Sequence, residues 1–301
     1  MNQEFLKELT DIMGEGNVLL DEPMSGHITF RVGGNASYFV EIAEEKQLKT
    51  IINLLQKKKI SYYIIGNGSN LVIRDEGFDG VIIRIAGKFS DIRVEGNEIT
   101  VKAGAMLSKT AKAAYEAGLG GMEHLSGIPG TIGGAVAMNA GAYGSEIKDI
   151  IVSAKVLDRE SGEVFELGRD ELELGYRHSV IMEKSYIVLE AVFRLNDTNK
   201  VDIKAEMDRC TALRKEKQPL EYPSAGSTFK RPEGYFAGKL IQDAGLAGYT
   251  SGGASVSEKH CGFVINKGNA TATDVLNVIS HVQDVVWDKF GVKLEPEVRI
   301  L

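Results

Sequence analysis

Ser126–Gly144 reads SGIPGTIGGAVAMNAGAYG. Six glycines, Gly127, Gly130, Gly133, Gly134, Gly141 and Gly144, stand among small and apolar residues, and no charged residue interrupts them. Each glycine placed in regular structure costs roughly 0.5–1 kcal/mol relative to alanine. That cost is offset where backbone must take positive φ, or must lie against a ligand with its N–H groups turned inward. Converging N–H groups form concavities suited to phosphate. The plainer alternative is a buried Gly/Ala turn that lets two elements pack closely.

The flanking segments set this stretch in an α+β context. Upstream, Leu107–Ala117 has helical periodicity and ends at Gly118, and Asp91–Gly104 reads as two alternating strands about a Gly-Asn turn. Downstream, Ile150–Leu157 and Glu163–Leu167 read as a hairpin, and Ser185–Arg194 as a strand. Nearer the N-terminus strand and helix alternate: helix Glu4–Met13, strand Ser37–Ile42, helix Glu45–Lys59, then strands Tyr62–Ile65 and Val81–Ile85. A polar break at Asn196–Lys200 precedes the helix Val201–Lys217, a short helix Phe236–Ala244 and strand material in Ser255–Asn266. Thr271–Phe290 is an amphipathic helix with Thr271 as N-cap and Gly291 as stop, and Val292–Leu301 reads as a final strand. The expected division is therefore 1–88, 89–198 and 199–301.

Composition excludes several classes. The chain has 301 residues and a net charge of −7, which argues against nucleic acid, whose phosphates demand a basic face. Only two cysteines occur, Cys210 and Cys261, so a disulfide framework is not expected. The start MNQEFLKELT is too polar for a signal peptide, and no apolar run approaches a membrane span. A cytoplasmic location is expected.

A second glycine turn, Gly66-Asn-Gly-Ser-Asn-Leu71, follows a strand, a usual place for a dinucleotide phosphate. It is not G-x-G-x-x-G, and neither that fingerprint nor a Walker pattern occurs. Taken with the first stretch and with Arg31-Val-Gly-Gly34, it points to a nucleotide cofactor on a non-Rossmann fold. Arg177 could hold a carboxylate in bidentate fashion, or could be a surface arginine. Ser227 could protonate a basic carbon, or could be a turn serine bonded to its own backbone. Glu297 shares a face with Glu295 and Arg299, which could also be merely solvated. Arg214, Lys215, Lys217, Lys230, Arg231 and Lys239 bracket the 219–232 loop and could receive a diphosphate. The five histidines show no metal-ligand spacing, and G-x-S-x-G is missing, so neither a metal nor a serine hydrolase is expected.

Thr29–Gly34, Gly66–Leu71, Ser126–Gly134, Asn139–Gly144, Tyr176-Arg177, Gly226-Ser-Thr-Phe229 and Glu297-Val-Arg299 together resemble one family, the UDP-N-acetylenolpyruvoylglucosamine reductases (MurB). The resemblance runs from about residue 20 to the C-terminus. It implies a two-lobed FAD-binding fold of the vanillyl-alcohol-oxidase (PCMH) type, with a C-terminal α+β substrate domain. It implies that Arg31, Gly66, Asn67, Gly68, Ser69, Asn70 and Leu71 bind FAD. It implies the same of Ser126, Gly127, Pro129, Gly130, Thr131, Gly133 and Gly134, with Ala137, Asn139 and Gly141 beyond them. Ser69 stands where some flavin relatives carry an attaching histidine, so non-covalent FAD is expected.

The implied reaction has two halves. NADPH reduces FAD, and UDP-N-acetylglucosamine enolpyruvate is then reduced to UDP-N-acetylmuramate for peptidoglycan synthesis. Arg177 and a protonated Glu297 would stabilise the enolate-like charge, and Ser227 would protonate the carbon. Tyr176, Arg214, Lys217, Lys230, Arg231 and Lys239 would meet substrate. About fifty residues separate Arg177 from Ser227, too few for the tyrosine-bearing loop of some relatives, so the shorter type II form is implied. Arg231 stands where the other form has asparagine. A monomer acting on small molecules is expected. The alternatives are a flavoprotein oxidase or dehydrogenase acting on an alcohol or lactone, and a nucleotide-binding protein without chemistry.

Overall fold

The structure is a computed structural model that describes residues 3–301. Met1 and Asn2, which open the start considered above, lie outside the described residues. The chain forms two compact units. One comprises the chain up to Leu19 with Phe39–Asn67 and Val81–Ala212; the other comprises Leu20–Tyr38, Gly68–Gly80 and Leu213–Leu301.

In the first unit, the helix Glu45–Lys58 buries Leu48, Ile51, Ile52 and Leu55 on one stripe. The Gln47 side chain accepts the Glu44 N–H at 3.2 Å, and left-handed Lys59 ends the helix. Strands Tyr62–Ile65 and Phe78–Arg84 pair in parallel, from Tyr62↔Val81 to Ile65↔Arg84. A five-stranded antiparallel sheet follows, in the order Val164–Gly168, Ile151–Asp158, Tyr186–Arg194, Glu98–Lys102, Ile92–Glu95. Its buried side chains include Ile99, Val101, Ala154, Val156, Leu189, Ala191 and Phe193. The helix Leu107–Ala117 ends on Gly118 at φ +75°, a position where glycine carries no Cβ penalty.

In the second unit, Ala254–Val256 and Val264–Asn266 pair antiparallel. The helix Ala272–Phe290 buries Val275, Val278, Val282 and Val286. Thr271 and Asp274 cap it reciprocally, each bond 3.0 Å, and Gly291 stops it at φ +65°. A distant residue also satisfies this helix start. The Asp75 carboxylate accepts the N–H groups of Ala272 and Thr273, both at 2.8 Å, and the Thr273 hydroxyl at 2.6 Å. Burial alone would raise the Asp75 carboxyl, but these hydrogen bonds outweigh it and hold it below its usual range.

The tail differs from the expected strand over 292–301. Only Arg299–Ile300 is regular strand, parallel to Leu71–Val72. Ahead of it, Pro296 makes a single antiparallel bridge with Phe229. Proline offers no N–H to a ladder, so regular pairing breaks there.

Candidate active site

The glycine stretch lies wholly in the first unit. It is not continuous loop, because Ile132–Ala137 forms a short helix. Two glycines in six residues give that helix little intrinsic propensity. Tertiary hydrogen bonds hold it instead: Ile132 N–H reaches the Ala105 carbonyl at 2.8 Å, and Gly133 N–H the Ala103 carbonyl at 2.8 Å. Gly130 accepts the Leu107 N–H at 3.0 Å. Gly133 is packed tightly, since a Cβ there would stand 3.0 Å from the Ala103 Cβ and Ala103 would have to give way.

The other face is open. Gly127, Pro129 and Gly134 are exposed, and a Cβ on Gly134 would meet only the Thr131 hydroxyl, at 3.7 Å. The result is a shelf of main chain without bulky side chains, which fits close approach by a pyrophosphate. Ser126 is held by its hydroxyl on the Glu123 carbonyl at 2.6 Å, and Thr131 is buried.

The 66–71 turn divides between the units. In the first, a Cβ on Gly66 would collide with the Thr131 hydroxyl, and the Asn67 side chain donates to the Pro129 carbonyl at 2.7 Å. Two sequence-separated glycine segments are thereby brought together within one unit. In the second, Gly68 takes φ +60° with Ile28 so close that a Cβ would lie 2.8 Å from its Cα. Asn70 donates to the Glu297 carbonyl at 3.1 Å, Leu71 pairs with Arg299, and Ser69 is half-buried. Arg31 is exposed at φ +56°. Asn266 holds that bend, donating to the Phe30 carbonyl at 3.2 Å and the Arg31 carbonyl at 3.4 Å.

Arg31, Asn139 and Arg177 are three of the eight described non-glycine residues at positive φ. Such strain persists only where the surroundings over-determine it, and it gathers at functional sites. Asn139 is fully buried, and its side chain bonds within the protein. Gly141 is needed for packing, since a Cβ there would sit 2.7 Å from the Glu146 Cγ. The Ala137 carbonyl accepts the Ser179 hydroxyl at 2.5 Å. Tyr176 and Arg177 form the tip of a two-residue turn closed by Gly175 and His178, and the Arg177 guanidinium lies 5.2 Å from the Tyr176 ring centre.

The second unit brings Ser227 beside Glu297. The intervening peptide makes the link: Glu297 N–H donates to the Thr228 carbonyl at 2.8 Å, and Lys230 N–H to the Glu295 carbonyl at 2.9 Å. Thr228 is buried, its N–H bonded to the Gly262 carbonyl at 2.8 Å and its hydroxyl accepting the Val264 N–H at 2.9 Å. Ser227 is exposed, and its hydroxyl has no hydrogen-bond partner among the described residues. It is thus not a turn serine satisfying its own backbone.

The basic residues around 219–232 are partly neutralised. Lys230 pairs with Glu295 at 3.3 Å, Lys239 pairs with Asp243, and Arg214 donates to Gln218 at 3.0 Å. Lys217 is exposed, and Arg231 stacks over the exposed Phe236 ring at 4.4 Å. Of the two His/Cys/carboxylate trios among the described residues, one is His124, Glu206 and Cys210. Its Glu206 already binds Arg209 through both carboxylate oxygens and His124 at 2.8 Å. The other, Glu173, His178 and Glu183, brackets the Tyr176–Arg177 turn. Sequence reasoning missed Asn266, Thr228 and Glu146, whose partners lie far away in the chain or carry no local pattern.

Comparisons with known proteins bear on both regions. The FAD binding domain family matches residues 36–168, and the family described as UDP-N-acetylenolpyruvoylglucosamine reductase, C-terminal domain, matches residues 218–301. Proteins named UDP-N-acetylenolpyruvoylglucosamine reductase from Agathobacter rectalis and Clostridium perfringens are each 52% identical, over 100% of this chain and 99% of theirs. The crystal structure of the Thermus caldophilus reductase aligns at a TM-score of 0.80 and 34% identity, covering 94% of this chain and 97% of that one. An alkyldihydroxyacetonephosphate synthase aligns at a TM-score of 0.51 and 19% identity over 65% of this chain and 41% of its own, which bears on the fold alone. The fold is α+β, with an FAD-binding domain of the vanillyl-alcohol-oxidase type followed by a C-terminal domain. The chain belongs to the UDP-N-acetylenolpyruvoylglucosamine reductase family.

Proposed function

We propose that the protein is the NADPH-dependent flavoenzyme that reduces UDP-N-acetylglucosamine enolpyruvate to UDP-N-acetylmuramate, a step in making the peptidoglycan precursor. The observation that carries this reading is Ser227, exposed and with its hydroxyl unpartnered, held beside Glu297 by the Thr228 carbonyl. Full-length identity to reductases supports it.

The glycine shelf at 126–134 fits FAD, because main chain lies open there where side chains would block a pyrophosphate. Held by that shelf, FAD would supply hydride transfer between NADPH and the enolpyruvyl double bond. The chain's own residues do the rest. Arg177 presents a planar fork suited to the substrate carboxylate. Glu297 adds a second polar group at the charge that grows on that carboxylate in the transition state, where fixed donors are most effective. Ser227 delivers its proton to the carbon next to the carboxylate. Tyr176 borders the substrate, while Arg214, Lys217, Lys230, Arg231 and Lys239 supply positive charge for phosphates. Ser69 leaves the cofactor unattached.

No helix among the described residues is long and apolar enough to cross a membrane, which is compatible with a cytoplasmic enzyme. The same reading takes the protein as a monomer, with lobes 1–88 and 89–198 serving the flavin and 199–301 the substrate. The test is spectroscopic. Purified protein should be yellow, NADPH should bleach it, and the enolpyruvyl substrate should restore the colour faster than oxygen does. A protein that never retains FAD, or that only oxygen re-oxidises, would refute the proposal.

A further inference from the structure

We propose that Asn139 and Glu146 are positioning residues that fix the Tyr176–Arg177 turn, and through it the aim of the Arg177 guanidinium. The inference rests on the reading of Arg177 given above. The Asn139 side chain is fully buried at a left-handed position, φ +43°. It donates to the Gly175 carbonyl at 2.9 Å and to the Glu146 carboxylate at 2.8 Å, and it accepts the Lys148 N–H at 2.9 Å. On the far side of the turn, Ser179 is clamped to the Ala137 carbonyl. The two-residue turn is therefore gripped before and after its tip by residues only two apart in the chain.

Arg177 itself sits at φ +52°, a conformation uncommon for a non-glycine residue. Glu146 supplies the electrostatic half. Its carboxylate is held by Asn139 and by Lys148 at 2.9 Å. The Lys148 hydrogen bond, then Asn139 and the nearby charges of Lys148 and Arg177, keep it ionised against burial. A fixed negative charge beside a flexible guanidinium selects among its rotamers. Gly141 packs so close to this side chain that a Cβ there would lie 2.7 Å from the Glu146 Cγ.

The experiment uses the FAD-loaded full chain and separates the two half-reactions by anaerobic stopped flow. Asn139→Asp replaces both donors by acceptors at constant size, and Glu146→Gln removes only the charge. Each should slow re-oxidation by the enolpyruvyl substrate about tenfold or more, while reduction by NADPH changes less than about twofold. In the double variant the amide introduced at position 146 can donate to the carboxylate introduced at position 139, so re-oxidation should recover part of the loss of Asn139→Asp. Hydrogen exchange at the amides of Gly175 and His178 should quicken in Asn139→Asp. Wild-type re-oxidation with unchanged exchange overturns the proposal, and so do equal losses in both half-reactions with weaker FAD retention, which would make Asn139 a cofactor residue. Normal turnover in Arg177→Lys would defeat the reading of Arg177, while the exchange measurement would still decide whether Asn139 holds the turn.

Discussion

The 126–134 segment and the paired 226–230 and 295–298 segments reach function by opposite means. The first offers main chain: four of its nine residues are glycine, and Thr131 and Ile132 are buried. The second uses main chain as scaffolding, pairing Thr228 and Lys230 with Glu297 and Glu295 next to the exposed Ser227. Holding a cofactor needs many donors close to one anion, which only backbone supplies densely. Moving one proton needs a single group at one atom, which only a side chain supplies. Damage to the first should therefore appear as lost cofactor, and damage to the second as a lost chemical step in an enzyme that keeps its colour.

The largest effect expected is from Ser227→Ala. Re-oxidation by substrate should fall by about 10²–10⁴, with NADPH reduction and FAD content nearly intact. Equal losses in both halves would erase the contrast between the regions. Next is Arg177→Lys, where a point charge replaces a planar fork. A fall of about 10²-fold in substrate re-oxidation is expected, and turnover near wild type would remove Arg177 from the chemistry.

Gly66→Ala probes the other region. Its Cβ would drive into the Thr131 hydroxyl, costing about 1–3 kcal/mol and loosening the tie between the two glycine segments. FAD should dissociate more readily on dilution, whereas the flavin that remains should still be re-oxidised by substrate at its usual rate. Unchanged FAD affinity would show that this contact does not shape the shelf.

The smallest effect concerns Glu206, which pairs with His124 just ahead of the 126–134 segment. Hydrogen bonds from the Arg209 guanidinium pull its carboxyl from an ordinary 4.5 down to about 2. A carboxyl depressed by folding stabilises the protein above its ordinary pKa, and that contribution fades as pH falls toward the folded value. The difference in Tm between the protein and Glu206→Gln should therefore shrink as pH drops from about 6 to about 3. Glu206 is part-exposed, so solvent screening keeps the difference small. A difference that does not vary with pH would show that the ion pair is not formed in solution.

Much of the scaffold was legible along the chain. The helix Leu107–Ala117 with its Gly118 stop, the strand Tyr62–Ile65, and the cap and stop of Ala272–Phe290 each follow from periodicity and end residues. Other features were hidden. The short helix Ile132–Ala137 has poor propensity and exists through hydrogen bonds to Ala103 and Ala105. The last ten residues alternate like a strand, yet Pro296 interrupts the pairing.

By itself the sequence determined most of the local elements, the residue types able to do flavin and proton chemistry, and the family, because those depend on identity and spacing along the chain. Only the tertiary structure decided that Asn139 is a strut, that Asn266 supports the Arg31 bend from 235 residues away, and that Thr228 joins Ser227 to Glu297. A buried polar group must find a partner wherever the fold provides one. That choice depends on distance in space, which no pattern along the chain records.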